Sequence, residues 1–272
     1  ENTVMGSVLV DGANSRWNSN TALTVSDEGG MGTVTVQNQA AAASGHTVIG
    51  NGINSTGTFT VDGIGSTWDV AELTVGNQGG SGAVMLTGSS TSTSLDASLG
   101  ATSDSVGTVD VAGAGSTWSI TGRLAIGGDA VGDADGGAGS VTIAADGRIN
   151  VTEDILLFPD GVLEFSGGSL ASDAIDDRGG QFDWTGGTLQ INSYDGNLTN
   201  QGGVLVPGQS IGNTSILGNY AHDPSAKLEI EVAGILPGQF DTLAIEANFL
   251  VDGELEVLYV DEGNVLVPGE GP

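Results

Sequence analysis

A tryptophan-marked repeat of about 50 residues is the feature that most constrains the fold of this chain. Three segments of the first half align without gaps, and their tryptophans lie 51 and 50 residues apart. Each segment begins with glycine and ends with tryptophan: GSVLVDGANSRW at 6–17, GTFTVDGIGSTW at 57–68 and GTVDVAGAGSTW at 107–118. Self-similarity at a fixed period of this length indicates a solenoid or a propeller, because one unit cannot bury its apolar side alone.

Short strands separated by glycine corners favour a solenoid over a propeller. Each repeat contains runs of three to five alternating residues, such as 34–36 and 59–61, and nothing has the 3.6-residue period of a long helix. Propeller blades have longer antiparallel strands joined by hairpins, whereas single-glycine corners suit parallel strands that stack. We therefore predict an all-β chain that forms a single right-handed parallel β-helix, with about two or three turns in each repeat.

The strand pattern divides the chain into three regions. Residues 1–150 hold the three marked repeats, of which the first is incomplete, so we expect the chain to be a processed or truncated piece of something longer. In residues 151–217, strands and Gly-Gly corners recur at shorter intervals, as an irregular continuation of the solenoid. Residues 218–272 carry 11 of the 34 acidic residues, in longer alternating strands. We expect this region to be an acidic β cap that closes one end of the core.

The charge balance excludes several classes of partner. Against the 34 acidic residues stand 5 basic ones, which gives a formal net charge of −29. Affinity for phosphates comes from Lys and Arg that displace counterions, so we expect no nucleic-acid partner. No apolar stretch approaches the length of a membrane span, and we expect no direct membrane insertion by this segment. The absence of cysteine excludes a disulfide framework and thiolate metal sites.

Motifs along most of the chain resemble one family of exported proteins. The pattern Gly-Ser-Thr-Trp at 65–68, Leu-Thr-Val-Gly at 73–76 and Gly-Gly-Ser-Gly at 79–82 resembles the repeat of bacterial autotransporter passenger domains and certain exported surface proteins. Residues 200–220, followed by AKLEIEVAG at 226–234, resemble the end of such passengers. The resemblance implies that this end precedes the membrane-anchoring segment and helps the β-helix to fold. Because the family includes adhesins, biofilm components and some enzymes, the resemblance implies a fold and not one activity.

The tryptophans themselves allow two interpretations. Trp17, Trp68 and Trp118 occupy the same phase of the repeat and should face the same way. They could form an exposed aromatic stripe on which sugars stack, or fill the same core position in every repeat. The apolar strand that follows each tryptophan favours the core.

The most specific candidate for a binding site is an insertion at one corner. Residues 127–139, GGDAVGDADGGAG, are several residues longer than the matching corners of the earlier repeats. Asp129, Asp133 and Asp135 supply the hard oxygen ligands that calcium prefers, and the glycines permit a sharp turn. The spacing does not match an EF-hand loop or the nonapeptide calcium repeat. A solvated, flexible corner loop is the alternative.

An enzyme on the same scaffold is the second functional hypothesis, because β-helices include polysaccharide lyases and hydrolases. Lyases of that shape place a basic residue beside calcium-binding carboxylates, and Arg123 and Arg178 are the candidates here. Hydrolases need two carboxylates at a defined separation, and such pairs arise by chance in so acidic a chain. Neither His46 nor His222 has the spacing of a metal ligand. We therefore predict no catalytic residue and no required cofactor, with calcium as a possible ligand.

The sequence thus favours a non-catalytic, structural or adhesive rod at the bacterial cell surface or outside the cell. Roles in display, biofilm matrix or filament assembly fit such a rod, with surface glycans or other cells as partners. The alternative is a polysaccharide-degrading lyase or glycoside hydrolase. A β-helix has ends whose backbone groups can pair with another copy, so we also expect end-to-end self-association.

Overall fold

The computed structural model describes residues 5–261 and 264–266. The prediction of a parallel β-solenoid is confirmed, because parallel strands stack in about 10 turns, or coils, and the described residues contain no helix. Consequently, none of the described residues belongs to a helix suited to crossing a membrane. Stacked strands are about 4.8 Å apart, so ten coils rise about 50 Å.

Most coils contribute one strand to each of three faces. The strands of coils 1 to 5 are β1 (Met5–Asp11), β2 (Arg16–Ser19), β3 (Leu23–Asp27), β4 (Met31–Gln37), β5 (Ala41–Ser44), β6 (Thr47–Asn51), β7 (Thr56–Asp62), β8 (Thr67–Val70), β9 (Glu72–Asn77), β10 (Ser81–Thr87), β11 (Thr91–Ser94), β12 (Asp96–Leu99), β13 (Val106–Ala112), β14 (Thr117–Ile120) and β15 (Leu124–Ile126). An inserted hairpin consists of β16 (Gly128–Asp129) and β17 (Ala134–Asp135). It interrupts the otherwise regular succession of coils.

The later coils have less regular strands. They are β18 (Ala138–Ala144), β19 (Arg148–Val151), β20 (Asp154–Leu157), β21 (Gly161–Asp177), β22 (Gln181–Asp195), β23 (Leu198–Asn200), β24 (Val204–Pro207), β25 (Asn213–Ile216), β26 (Tyr220–His222), β27 (Lys227–Val232), β28 (Thr242–Ile245), β29 (Phe249–Val251), β30 (Glu254–Asp261) and β31 (Asn264–Leu266). β21 and β22 each run through all three faces, forming coils 7 and 8. Coil 9 is β23–β25, coil 10 is β26–β28, and β29 and β30 begin coil 11.

The second face is a continuous parallel ladder along the whole described solenoid. It runs from β2 through β5, β8, β11, β14, β19, β21, β22, β24 and β27 to β30. The first face is not continuous. Its ladder from β1 to β22 is followed by a separate stack of β23, β26 and β29. This interruption lies at coils 8 and 9.

Each 50-residue repeat corresponds to two coils, which is the lower of the two predicted values. In register along the second face, the column reads Trp17, Ala42, Trp68, Ser92, Trp118. Small residues thus separate the indoles, and the alternation of large and small side chains suits a close-packed interior. Tryptophan therefore marks every second coil.

The core interpretation of the repeat tryptophans is confirmed for two of them. Trp68 is 0% exposed and Trp118 is 1% exposed, whereas Trp17 in the first coil is half-buried. Phe59 stacks on Trp68 with 3.7 Å between ring centroids. An exposed stripe of stacking platforms is therefore wrong for Trp68 and Trp118.

The described part of region 218–272 continues the solenoid. Leu228 is buried beneath the next coil, whereas Leu255, Val257 and Tyr259 in the last long strand are 44–60% exposed. The only described antiparallel partner of β30 is the short β31. The predicted cap also includes 262–263 and 267–272, which lie outside the described residues, and closure of the core there stays a prediction.

Candidate functional site

The inserted segment 127–137 is a small hairpin that folds over the third face. β16 and β17 pair in antiparallel fashion, unlike the stacked coils around them. Ala130 of the hairpin is buried with Ala125, Leu156 and Phe158, and these four residues form an apolar cluster separate from the main core. The corner is therefore anchored by apolar contact, which sequence reasoning missed. The sequence feature that could have indicated this contact is the run of four apolar residues at 155–158. A strand with one solvent-exposed face should instead alternate apolar and polar residues.

The predicted calcium ligands have different partners within this hairpin. Asp129 Oδ1 accepts a hydrogen bond from the backbone N–H of Val131 at 3.1 Å. Asp135 Oδ1 accepts one from the backbone N–H of Gly136 at 3.0 Å. Both carboxylates therefore stabilise the local backbone, as is common for Asp in turns.

The third predicted ligand, Asp133, forms an ion pair with Arg178 from the corner after coil 7. Arg178 also contacts Asp176, with 2.7 Å between Nη2 and Oδ2, and its guanidinium lies 5.0 Å from the ring centroid of Phe158. Burial by itself lowers the pKa of Arg178, but the hydrogen bonds and charges of Asp133 and Asp176 raise it above the usual value. Arg178 is thus a permanently charged clamp that holds the hairpin to the rod.

The structure does not bring the three aspartates into one ligand set. Within the described residues, no group of three or more acidic or histidine side chains is arranged to hold a metal ion. The carboxylate of Asp133 is instead neutralised by Arg178. Calcium binding by Asp129, Asp133 and Asp135 stays a prediction.

The other residues considered for catalysis are separated along the rod. Arg123 lies 3.6 Å from Glu153 across one coil, at a surface position. His46 Nε2 lies 3.3 Å from Thr74 Oγ1 on the third face. His222 is 1% exposed and belongs to the interior of the separate first-face stack. These residues do not converge on a common cavity.

A cavity that sequence reasoning did not predict lies where the first-face ladder is interrupted. It has a volume of about 620 Å³ and opens between coils 7, 8 and 9. Asp160, Asp177, Phe182, Tyr194 and Asn197 are among its lining residues. The lining of the concavity is mainly polar, and Phe182 and Tyr194 add two aromatic side chains to it.

Comparison with known proteins leaves the family open. No protein-family model matches the chain, and neither a curated protein nor a solved structure shows significant similarity to it. The resemblance to autotransporter passengers therefore stays a prediction that rests on the repeat motifs.

Proposed function

We propose that this chain is a non-catalytic structural or adhesive rod that acts at a cell surface or in an extracellular matrix. The observation that carries the proposal is the second face, whose parallel ladder runs unbroken from β2 to β30. Each coil is hydrogen-bonded to the next in register, so the scaffold resists bending and holds surface groups at fixed intervals.

The exterior of the rod supports an adhesive role. Thr67, Thr91 and Thr117 follow one another in register on the second face, so their hydroxyls recur at about 4.8 Å. Three hydroxyls in a row offer several weak polar contacts, which together bind a repetitive or extended partner more strongly than one contact does. The net charge of −29 keeps rods apart sideways and favours solubility.

The arginines weaken the competing hypothesis of a polysaccharide-degrading enzyme. A lyase of this shape requires a basic side chain that accepts a proton, and a raised pKa keeps Arg178 protonated. Arg123 faces the carboxylate of Glu153 at an exposed position. A structural or adhesive role needs no proton acceptor and accords with both contacts.

End-to-end self-association is a further part of this proposal. The first described coil has an apolar groove of about 490 Å³ lined by Trp17, Leu23 and Val25. At the other end, Leu255 and Tyr259 of β30 are exposed, and the only described strand beyond β30 is the short β31, which pairs with residues 259–261. Apolar groups next to strand edges favour stacking of a second copy. Sedimentation velocity over a concentration series would measure this association, and a monomer at every concentration would contradict it.

One experiment separates the rod from the enzyme. Beads coated with the purified chain should adhere to cell surfaces or polysaccharide films more than beads coated with the heat-unfolded chain. In parallel, soluble chain is incubated with neutral and acidic polysaccharides, and new reducing ends and unsaturated products are measured. We expect adhesion without product. Time-dependent product that scales with protein concentration would overturn the proposal.

A further inference from the structure

We propose that the 620 Å³ cleft between coils 7, 8 and 9 binds a neutral saccharide. The inference rests on the proposed adhesive function and names the ligand class. The volume lies in the range of about 300–1,000 Å³ that is usual for small-molecule sites.

The cleft exists because the first face changes its ladder there. β22 pairs with β21 below it, whereas β23 begins a stack with β26 and β29. The backbone N–H of Gln201 donates to the carbonyl of Trp184 at 2.9 Å, which joins the two stacks beside the opening. Phe182, an interior position in the register, is consequently only half-buried.

An aromatic wall forms the apolar side of the cleft. Phe182 stacks on Tyr194 with 6.2 Å between ring centroids and on Trp184 with 6.1 Å. Tyr194 and Trp184 are 1% and 0% exposed, so the buried rings hold Phe182 in place. The C–H face of a sugar ring is apolar and packs on such a surface, because the aromatic face is electron-rich.

The polar side of the cleft is held in position by internal hydrogen bonds. Asp177 Oδ1 accepts from the backbone N–H of Gly179 at 3.0 Å, and Oδ2 accepts from the hydroxyl of Tyr194 at 3.2 Å. Asn197 Oδ1 accepts from the side chain of Asn219 at 2.7 Å, which orients the Asn197 Nδ2 as a donor. Prior orientation of both groups lowers the entropy cost of binding.

The balance of donors and acceptors selects a neutral polyol. Asp160 and Asp177 can only accept hydrogen bonds when ionised, and sugar hydroxyls donate them. A uronate or sulfate would add negative charge beside both carboxylates in a chain of net charge −29, which is unfavourable. A simple cation would pair with the carboxylates, but it has no apolar C–H face to pack on Phe182. The cleft therefore fits a neutral sugar better than either ion.

Isothermal titration calorimetry with neutral oligosaccharides tests the inference. The probes are tetrasaccharides of β-glucan, α-glucan, mannan and galactan, with oligogalacturonate and calcium chloride as comparison ligands. We expect at least one neutral probe to bind saturably. Phe182→Leu should weaken that binding about 3- to 10-fold, the loss that corresponds to one aromatic contact. Asp160→Asn, which preserves shape at an exposed position, should weaken it about 3-fold or more.

Matched variants control for indirect effects. Phe249→Leu changes a half-exposed aromatic ring elsewhere, and Asp104→Asn changes an exposed aspartate at another corner. Both should bind like the parent chain. The inference is overturned if no neutral probe binds, if only oligogalacturonate or calcium binds, or if Phe182→Leu and Asp160→Asn leave affinity unchanged. Binding accompanied by cleavage would instead support the saccharide site and overturn the non-catalytic function.

Discussion

The indole Nε1 of Trp68 donates a hydrogen bond to the hydroxyl oxygen of Ser44, one coil earlier, at 3.0 Å. Trp118 and Ser94 repeat this contact two coils further along, at 3.2 Å. All four side chains are buried. The repeat therefore preserves a buried polar pair together with the apolar shape around it.

Replacing Ser44 by alanine should destabilise the rod. Ser44→Ala removes the acceptor and leaves a buried N–H unsatisfied, which costs about 1–3 kcal/mol of unfolding free energy. Urea denaturation followed by circular dichroism measures the loss. In a Trp68→Phe background, which has no indole N–H, the same change should cost less. Equal costs in both backgrounds would show that the hydrogen bond is not the cause.

Glycine at position 76, near the end of β9, should be required for two separable reasons. Gly76 has φ of +74°, and a Cβ there would overlap the carbonyl of Val106 at the start of coil 5. Gly29 has φ of +76° with no atom within 4 Å of its Cβ position. Gly29→Ala should therefore cost about 1–3 kcal/mol for backbone strain, and Gly76→Ala clearly more. A thermal melt of each variant compares them, and equal losses would contradict the steric contribution.

Removing the Arg178 clamp should loosen the inserted hairpin without unfolding the rod. Arg178→Ala breaks the ion pairs with Asp133 and Asp176. Amide hydrogen exchange across 128–135 should therefore accelerate about tenfold. The effect is modest because both ion pairs are partly solvated. The melting temperature should change little. Arg123→Ala, which removes a different surface pair, is the control and should leave exchange in the hairpin unchanged. Unaltered exchange in Arg178→Ala would refute the clamp.

Acidification should stabilise the C-terminal coils through Asp241. Its carboxylate accepts from the backbone N–H groups of Gly212 and Glu231, both at 2.7 Å. Burial raises the pKa of Asp241, and the charge of Glu231 adds to that rise, against the opposing effect of the two hydrogen bonds. A raised folded-state pKa means that the folded state binds the proton more tightly. The stabilisation is fully present below the unfolded pKa of about 4, and is lost as pH rises through the folded pKa.

Thermal melts of the parent chain and Asp241→Asn between pH 7 and pH 4 measure this contribution. The other carboxylates also repel one another less at low pH, so the difference between the two slopes is the informative quantity. The parent chain should gain more stability on acidification than Asp241→Asn does. Asp104→Asn, at an exposed corner, should follow the parent. Parallel pH profiles for the parent and Asp241→Asn would contradict the assignment.

The repeat tryptophans show how far sequence reasoning reached for the fold. Their fixed spacing indicated a solenoid or a propeller, the short strands and glycine corners favoured the solenoid, and the apolar strand after each tryptophan favoured a core position. Their spacing left two or three turns per repeat open. The pairing of Trp68 with Ala42 and Ser92 decided on two, since it required knowing which small residues lie in the intervening coil.

The candidate site was much less predictable. Asp129, Asp133 and Asp135 are close in sequence, which suggested a shared ligand, but Asp133 pairs with Arg178, 45 residues away. The cleft beside Phe182 could not be predicted from the sequence for a similar reason. Its lining residues come from three coils, and the opening depends on a change of ladder between β22 and β23.

The sequence by itself determined the parallel solenoid, because periodic apolar residues and glycine corners act within one coil and its neighbours. Only the tertiary structure decided that tryptophans alternate with Ala42 and Ser92, that Arg178 clamps the hairpin, and that a cleft opens between coils 7 and 9. The physical reason is the separation along the chain over which each kind of interaction acts. Local periodicity specifies how each coil forms, whereas contacts between distant side chains depend on the register in which the coils stack.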